Sequence, residues 1–374
     1  MSRILVVGGG VAGSSAAWHL ARRGHDVTLL EQFEPGHDRG SSHGSSRIFR
    51  LAYPDPFYVA LAVRALPLWR GLEAETGRSV LTLTGAVDHG PAAATQALAD
   101  SLAAAGRPYE LLPAAVVGER WPGLRGDTSA LFHPDAGRLH ADHAVAALQQ
   151  AAIQRGAEVR HRTKVARLAV PGPGRVEAVT AAEEVLVADA AVVAVGGWAP
   201  KTLSALGIPA PPMRVTQEQP AHFAAARPLD WPSFIHHGGA GLPEGPGVYG
   251  LGSSDGVKAG FHGVGPPVDP DGRDRGVDPA AQRRLQEYAA TWLPGVDAGH
   301  PESFTCLYTL TPDHDFVIDR RGPVTVLAGF SGHGFKFGSV LGRLAADLVE
   351  GRPGADRFAV PRRREHVPDR KKTG

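Results

Sequence analysis

The stretch Gly8-Gly9-Gly10-Val11-Ala12-Gly13 spaces three glycines as G-x-G-x-x-G. In that pattern Gly8 permits a tight turn, Gly10 lets backbone approach a pyrophosphate, and Gly13 lets a helix pack closely on a strand. Val11 and Ala12 would open the helix, whose N-terminus then faces the phosphates. Glu31 stands 23 positions after Gly8, near the ~20-residue offset at which an acidic side chain meets a ribose hydroxyl. Together these residues predict a dinucleotide site. Gly196-Gly197-Trp198 is a second place where backbone could approach a ligand. Other chemistries find no support. The chain has 17 histidines, yet no Cys/His cluster has zinc-ligand spacing, and the pair His236-His237 is isolated. Gly329-Phe330-Ser331-Gly332-His333-Gly334 lacks the spacing of a serine-nucleophile elbow. Cys306 is the single cysteine and cannot form an intrachain disulfide; a small buried hydrophobe is its default role.

The elements that must hold these residues can be read from periodicity. Ile4 to Val7 reads as a strand, the residues after the glycine turn as a helix through Arg23, and Val27 to Leu30 as a second strand, which makes a βαβ unit. Further strands are expected at Leu83 to Val87, Arg214 to Gln219, Val248 to Leu251 and Val324 to Gly329, and helices at Ala92 to Ala105, Ala141 to Arg155, Pro279 to Trp292 and Ser339 to Val349. Val159 to Leu168 and Val185 to Val195 read as strands returning to the nucleotide sheet. The 374 residues exceed a comfortable single core, so two joined lobes are expected. With 43% hydrophobic residues the chain is globular, and a net charge of +1 gives no footprint for nucleic acid or an anionic membrane surface. No apolar run approaches the ~20 residues of a membrane span, and no basic-then-apolar segment opens the chain, so a cytoplasmic location is the default.

Five segments occur in a telling order: the glycine turn at 8 to 13, Gly40-Ser41-Ser42-His43-Gly44-Ser45-Ser46-Arg47-Ile48-Phe49-Arg50, Lys258-Ala259-Gly260-Phe261-His262, Cys306-Leu307-Tyr308-Thr309, and Gly329 through Phe337. In register, they make the chain resemble the monomeric sarcosine oxidase and N-methyltryptophan oxidase family of FAD-dependent amine oxidases. The resemblance implies an α/β fold: an FAD-binding, Rossmann-like lobe of glutathione-reductase type and a second, α+β catalytic lobe built on a mixed sheet. The boundaries it suggests are 1–82, 140–212 and 301–360 for the FAD-binding domain, 83–139 and 213–300 for the catalytic domain, and a frayed tail at 361–374.

The resemblance also implies roles. FAD is attached through a thioether to Cys306. It is contacted by Gly8, Gly10, Val11, Ala12, Gly13, Glu31, Gln32, Ser41, Ser42, His43, Ser46, Arg47, Val165, Gly196, Trp198, Gly332, Gly334, Phe335 and Lys336. Lys258 matches the cation that assists electron transfer to O2, a role that suits a preorganised positive charge. Lysine usage agrees: only six of the 39 basic residues are lysines, and of the four outside the tail two, Lys258 and Lys336, fall inside the matching segments. Arg50 and Lys336 match the residues that hold a substrate carboxylate through charge-assisted hydrogen bonds. Arg47 lies near the flavin ring, His262 beside the reacting amine, and Tyr249 and Tyr308 are walls of the pocket, for which core packing is an equal alternative. Leu310 departs from the family, which commonly carries Asn there.

The expected reaction is oxidation of a carboxylated secondary amine, an N-methyl amino acid or a cyclic imino acid, to an imine with O2 reduced to hydrogen peroxide by a monomer. Alternatives are a flavin-dependent amino-acid dehydrogenase with another acceptor, oxidation of a secondary-metabolite intermediate, and a non-enzymatic FAD-carrying subunit.

Overall fold

The computed structural model describes residues 1–126, 128–238 and 247–360; the tail expected at 361–374 lies outside them. The opening unit forms as read: β1 (Arg3–Val7), α1 (Val11–Arg22) and β2 (Asp26–Leu30). β1 is apolar from Ile4 onward because it runs in the centre of a six-stranded sheet and is covered on both faces. The sheet order is Val317–Arg321, Val324–Ala328, Ala190–Val193, β1, β2, Glu158–Arg160, all parallel except the first of these strands.

Small residues set the helix layer. On α1 only Arg22 escapes burial, and the helix packs against Ala141–Gln154 and Gly338–Val349. A Cβ on Gly342 would come within 2.3 Å of Ser15, so that helix pair tolerates no side chain at the crossing. Trp18, Leu20 and Val340 lie in the core this makes. The opposite face of the sheet is covered by a three-stranded antiparallel sheet of Val165–Gly172, Arg175–Thr180 and Val185–Ala188, whose Val176, Ala178 and Ala188 pack on Leu5, Val193 and Val326. Two expectations change here. The run 159 to 168 divides between the nucleotide sheet and this cover, and the run 185 to 195 does the same, because apolar alternation shows that a strand is half-buried but not which sheet receives it.

The second large sheet has eight strands in the order Glu302–Ser303, Ala221–Phe223, Gly256–Phe261, Val248–Ser253, Ser233–His236, Ala86–His89, Ala130–His133, Glu110–Leu112. It is mixed: Ser233–His236 runs parallel to Ala86–His89 and the other neighbours are antiparallel. The strand expected at 83 to 87 is two short strands, Leu81–Leu83 and Ala86–His89, divided at Gly85, whose φ of 74° ends the first. Pro279–Trp292 backs this sheet; Asp278 caps it by accepting from the amides of Ala280 and Ala281, an arrangement worth about 1 kcal/mol. The longest helix, Pro56–Thr76, begins with an Asp55 cap and Pro56 and ends at left-handed Gly77. Among the described residues no helix is long and apolar enough to cross a membrane.

Candidate active site

A cavity of 1720 Å³ runs from the glycine turn to the second sheet. At its first end Gly8 has φ 105°, and a Cβ there would lie 2.4 Å from the Ala194 carbonyl oxygen. Only glycine allows that turn. Gly13 faces inward, away from the cavity, where a Cβ would strike the Gly8 carbonyl at 1.9 Å; its part is to let α1 sit on the turn. Glu31 directly follows β2, buried, accepting from the amide of Gly9 at 2.7 Å and of Phe33 at 2.9 Å, which ties the carboxylate to the turn. Ser42 Oγ accepts from the Val11 amide at 3.1 Å. Gln149, absent from the sequence reading, donates to the Gly9 carbonyl at 3.1 Å and to Ser14 Oγ at 3.2 Å and lines the same cavity.

Gly10, Val11, Ala12, Gln32, Ser41, Ser46, Val165, Gly196 and Trp198 also line this channel. Trp198 donates from its indole to Asp271 at 2.7 Å, and Ser41 Oγ donates to the Leu307 carbonyl at 2.6 Å, which joins the 40–50 segment to the strand Cys306–Leu310. His43 does not line the cavity. It packs edge-on against Phe304, and burial pushes its pKa down to about 3.

The far end collects the remaining residues. Cys306 starts its strand buried but within the cavity wall; burial pushes its thiol up, while Lys258 and Arg47 act the other way. Lys258 lies mid-strand in Gly256–Phe261, 3% exposed, its Nζ 5.0 Å from the Phe304 ring and with no hydrogen-bond partner among the described residues. Burial, with Arg47 nearby, pushes its ammonium down to about 7. Arg47 is held by the carbonyls of Ser46 and Ser41 at 2.7 and 2.8 Å and lies over Phe335. His262 follows the Lys258 strand, its ring 5.3 Å from that of Tyr308, and burial and the Lys336 and Arg50 charges push it down to about 4. Tyr249 and Tyr308 are both in the wall. Gly332, at φ 77°, makes room for Tyr308: a Cβ would lie 2.2 Å from its ring. Gly334 and Phe335 continue the same wall. Leu310 is buried and lines a smaller neighbouring cavity with Met213 and His262.

Arg50 and Lys336 come together here, joined by Tyr53, which the sequence reading missed. Lys336 Nζ donates to the Tyr53 hydroxyl at 2.9 Å and to the His333 carbonyl at 2.8 Å. The Arg50 guanidinium lies 4.5 Å above the Tyr53 ring and 3.4 Å from Asp88 Oδ1. Burial and the Arg50 charge push the Lys336 ammonium well below its ordinary value, the electrostatic signature of two cations sharing a dry wall. Asp88 was missed too, although a carboxylate within the apolar run Gly85-Ala86-Val87-Asp88 is itself a signal, because buried charge requires partners. Among the described residues no group of three or more His, Cys, Asp or Glu side chains could hold a metal ion.

A phosphate-binding turn, an acid at the end of the second strand and a long channel ending among cations make a flavin-type oxidoreductase. The FAD-dependent oxidoreductase family matches residues 3–348. Monomeric sarcosine oxidase of Streptomyces avermitilis is 38% identical over 92% of this chain and 93% of that protein. N-methyl-L-tryptophan oxidase of Yersinia pestis is 29% identical over 94% and 95%. Among solved structures, NikD, described as an unusual amino acid oxidase essential for nikkomycin biosynthesis, superposes with a TM-score of 0.84 at 28% identity, covering 96% and 97% of the two chains. The chain belongs to the FAD-dependent oxidoreductase family, among the relatives of monomeric sarcosine oxidase and N-methyltryptophan oxidase. FAD fits its residues: the turn Gly8 to Gly10, the first residues of α1 and Glu31 line one end of a cavity that continues to Lys336.

Proposed function

We propose that this protein oxidises a carboxylated secondary amine, an N-methyl amino acid or cyclic imino acid, to the imine, with O2 as the electron acceptor and hydrogen peroxide as the second product. The observation that carries the reading is the convergence of Arg50 and Lys336 on one wall of the cavity that begins at the nucleotide turn. Two cations so placed compensate an anion taken out of water, and a carboxylate is the anion of an amino acid. The names of the relatives, which act on sarcosine, N-methyltryptophan and amino acids, support the same class.

FAD, held by the glycine turn and the channel beyond it, would supply the two-electron acceptor for the hydrogen on the carbon beside the amine. Arg50 and Lys336 orient the substrate by its carboxylate. Tyr249, Tyr308 and His262 close the amine side and exclude water, which strengthens each charge inside. Lys258 supplies a positive charge where O2 is reduced, present below about pH 7, and Cys306 would hold the cofactor covalently. The enzyme acts as a cytoplasmic monomer. Anaerobic mixing with a panel of amines tests the reading: carboxylated secondary amines should bleach the flavin absorbance, and admitting air should restore it with stoichiometric peroxide. No bleaching by any member would overturn it.

A further inference from the structure

Oxidation beside nitrogen needs the amine lone pair, whereas an amino acid arrives with its nitrogen protonated, so the site must lose or accept one proton before electrons move. The titratable groups around the Arg50–Lys336 wall are poorly suited to hold it, with one exception. His262 faces Lys336 and Arg50, and burial and those charges disfavour its cationic form. His333 is buried beside Lys336, with Nε2 on the His314 carbonyl at 3.1 Å and Nδ1 3.4 Å from the Tyr53 hydroxyl. Lys336 Nζ is engaged by the Tyr53 hydroxyl and the His333 carbonyl, and Lys258 stands away from this wall, its Nζ against the Phe304 ring. Burial pushes the hydroxyls of Tyr249 and Tyr308 up.

His237 differs. It follows the strand Ser233–His236, lines the cavity, and places Nε2 2.9 Å from Asp88 Oδ1, the oxygen that also faces Arg50. Asp88 is fully buried; although burial alone would push its carboxyl up, His133, His237 and Arg50 hold it well below the usual range, so it stays a carboxylate. An ionised Asp88 accepts from Nε2 and leaves Nδ1 as the acceptor, with no partner among the described residues. Around this pair, the His89 carbonyl accepts the His237 amide at 2.8 Å, His133 lies 3.5 Å from Asp88 Oδ2, and His236 is stacked on His89 at 4.1 Å. The His237 side chain is 24% exposed, so a captured proton has a route to solvent.

We propose that His237, oriented by Asp88, is the base that takes the proton from the substrate ammonium while Arg50, held by the same carboxylate, grips the substrate's other end. The N–H bond of the ammonium breaks, its electron pair stays on nitrogen, a bond forms to His237 Nδ1, and the imidazolium is balanced by Asp88. The shared oxygen sets the spacing: the carboxylate anchor and the base are two arms on one buried anion. This inference rests on the proposed amine-oxidase reading.

The test follows anaerobic flavin reduction by stopped flow across about pH 6 to 10, using whichever of sarcosine, L-proline or L-pipecolate bleaches wild type fastest. In wild type the rate should rise with pH only in the lower part of this range and then level off. His237→Gln should slow reduction at pH 7 by ~10²-fold or more and rise about tenfold per pH unit toward the free amine's own pKa, while the substrate dissociation constant changes little. Asp88→Asn, which removes the charge balancing the imidazolium, should lower the plateau. Flavin spectra and thermal melts establish that each variant is folded, and His237→Asn, expected to behave as His237→Gln, guards against a single misfolded protein. An unchanged pH profile in folded His237→Gln, or weaker binding with the profile retained, would overturn the base and leave the oxidase reading standing. Absence of bleaching by all three amines in wild type would overturn both.

Discussion

Arg50 and Lys336 meet across one aromatic ring: the guanidinium lies 4.5 Å over the face of Tyr53, and the ammonium donates to its hydroxyl at 2.9 Å. Neither cation touches the other's partner, Asp88 for Arg50 and the His333 carbonyl for Lys336. Tyr53 therefore spaces two like charges that would repel if closer, and leaves both edges able to accept an anion.

Removing either cation should weaken carboxylated amines selectively. Arg50→Ala or Lys336→Ala should each cost about 1.5–3 kcal/mol of substrate binding, the range for hydrogen bonds to charged groups. Anaerobic titration gives the dissociation constants; equal losses for the decarboxylated amines would mean that these side chains shape the fold instead.

Tyr53→Phe keeps the ring under Arg50 but deletes the acceptor for Lys336 Nζ. A buried donor left short of a partner costs about 1–3 kcal/mol. A lower melting temperature with flavin content unchanged is the expected result, and an unshifted melt would show that the His333 carbonyl alone satisfies the lysine.

Lys258 carries a pH prediction. Its ammonium is pushed down to about 7, so the charged form is present below that value and is lost as pH rises through it. Reoxidation of reduced enzyme by O2 should be fastest below about pH 7 and slow above it, and Lys258→Met should lose ~10²-fold and show no such limb. Double-mixing stopped flow reads both.

Cys306 should hold the cofactor covalently. Acid precipitation of wild type should leave the yellow colour in the pellet, whereas Cys306→Ser should release it to the supernatant. Colour wholly in the wild-type supernatant contradicts the bond.

What could be read from sequence followed the range of the interactions. The glycine turn, α1 and Glu31 were legible because their chemistry is local: consecutive residues, fixed offsets and a strand–helix change of period. Lys258, Lys336 and Arg50 could be named because they sit inside contiguous segments. Tyr53, Asp88 and His237 form no such segment. Asp88 meets His237 only because Ala86–His89 and Ser233–His236 are parallel neighbours in the second sheet, a pairing between strands far apart in sequence. Sheet membership failed for the same reason at 159 to 168 and 185 to 195, where alternation was right and the partner unknown. The helix Pro56–Thr76 escaped notice; Pro67 lies in its interior, where proline ordinarily signals a break.

Selection of a carboxylated secondary amine by the cavity is tested most directly by matched pairs: sarcosine against dimethylamine, L-proline against pyrrolidine, L-pipecolate against piperidine. The measurement is the second-order rate of anaerobic flavin bleaching for each. At least one acid should exceed its decarboxylated partner by about tenfold to 150-fold, the factor corresponding to 1.5–3 kcal/mol, and Arg50→Ala should collapse that ratio. Equal rates within every pair, or faster bleaching by the plain amines, would contradict the account.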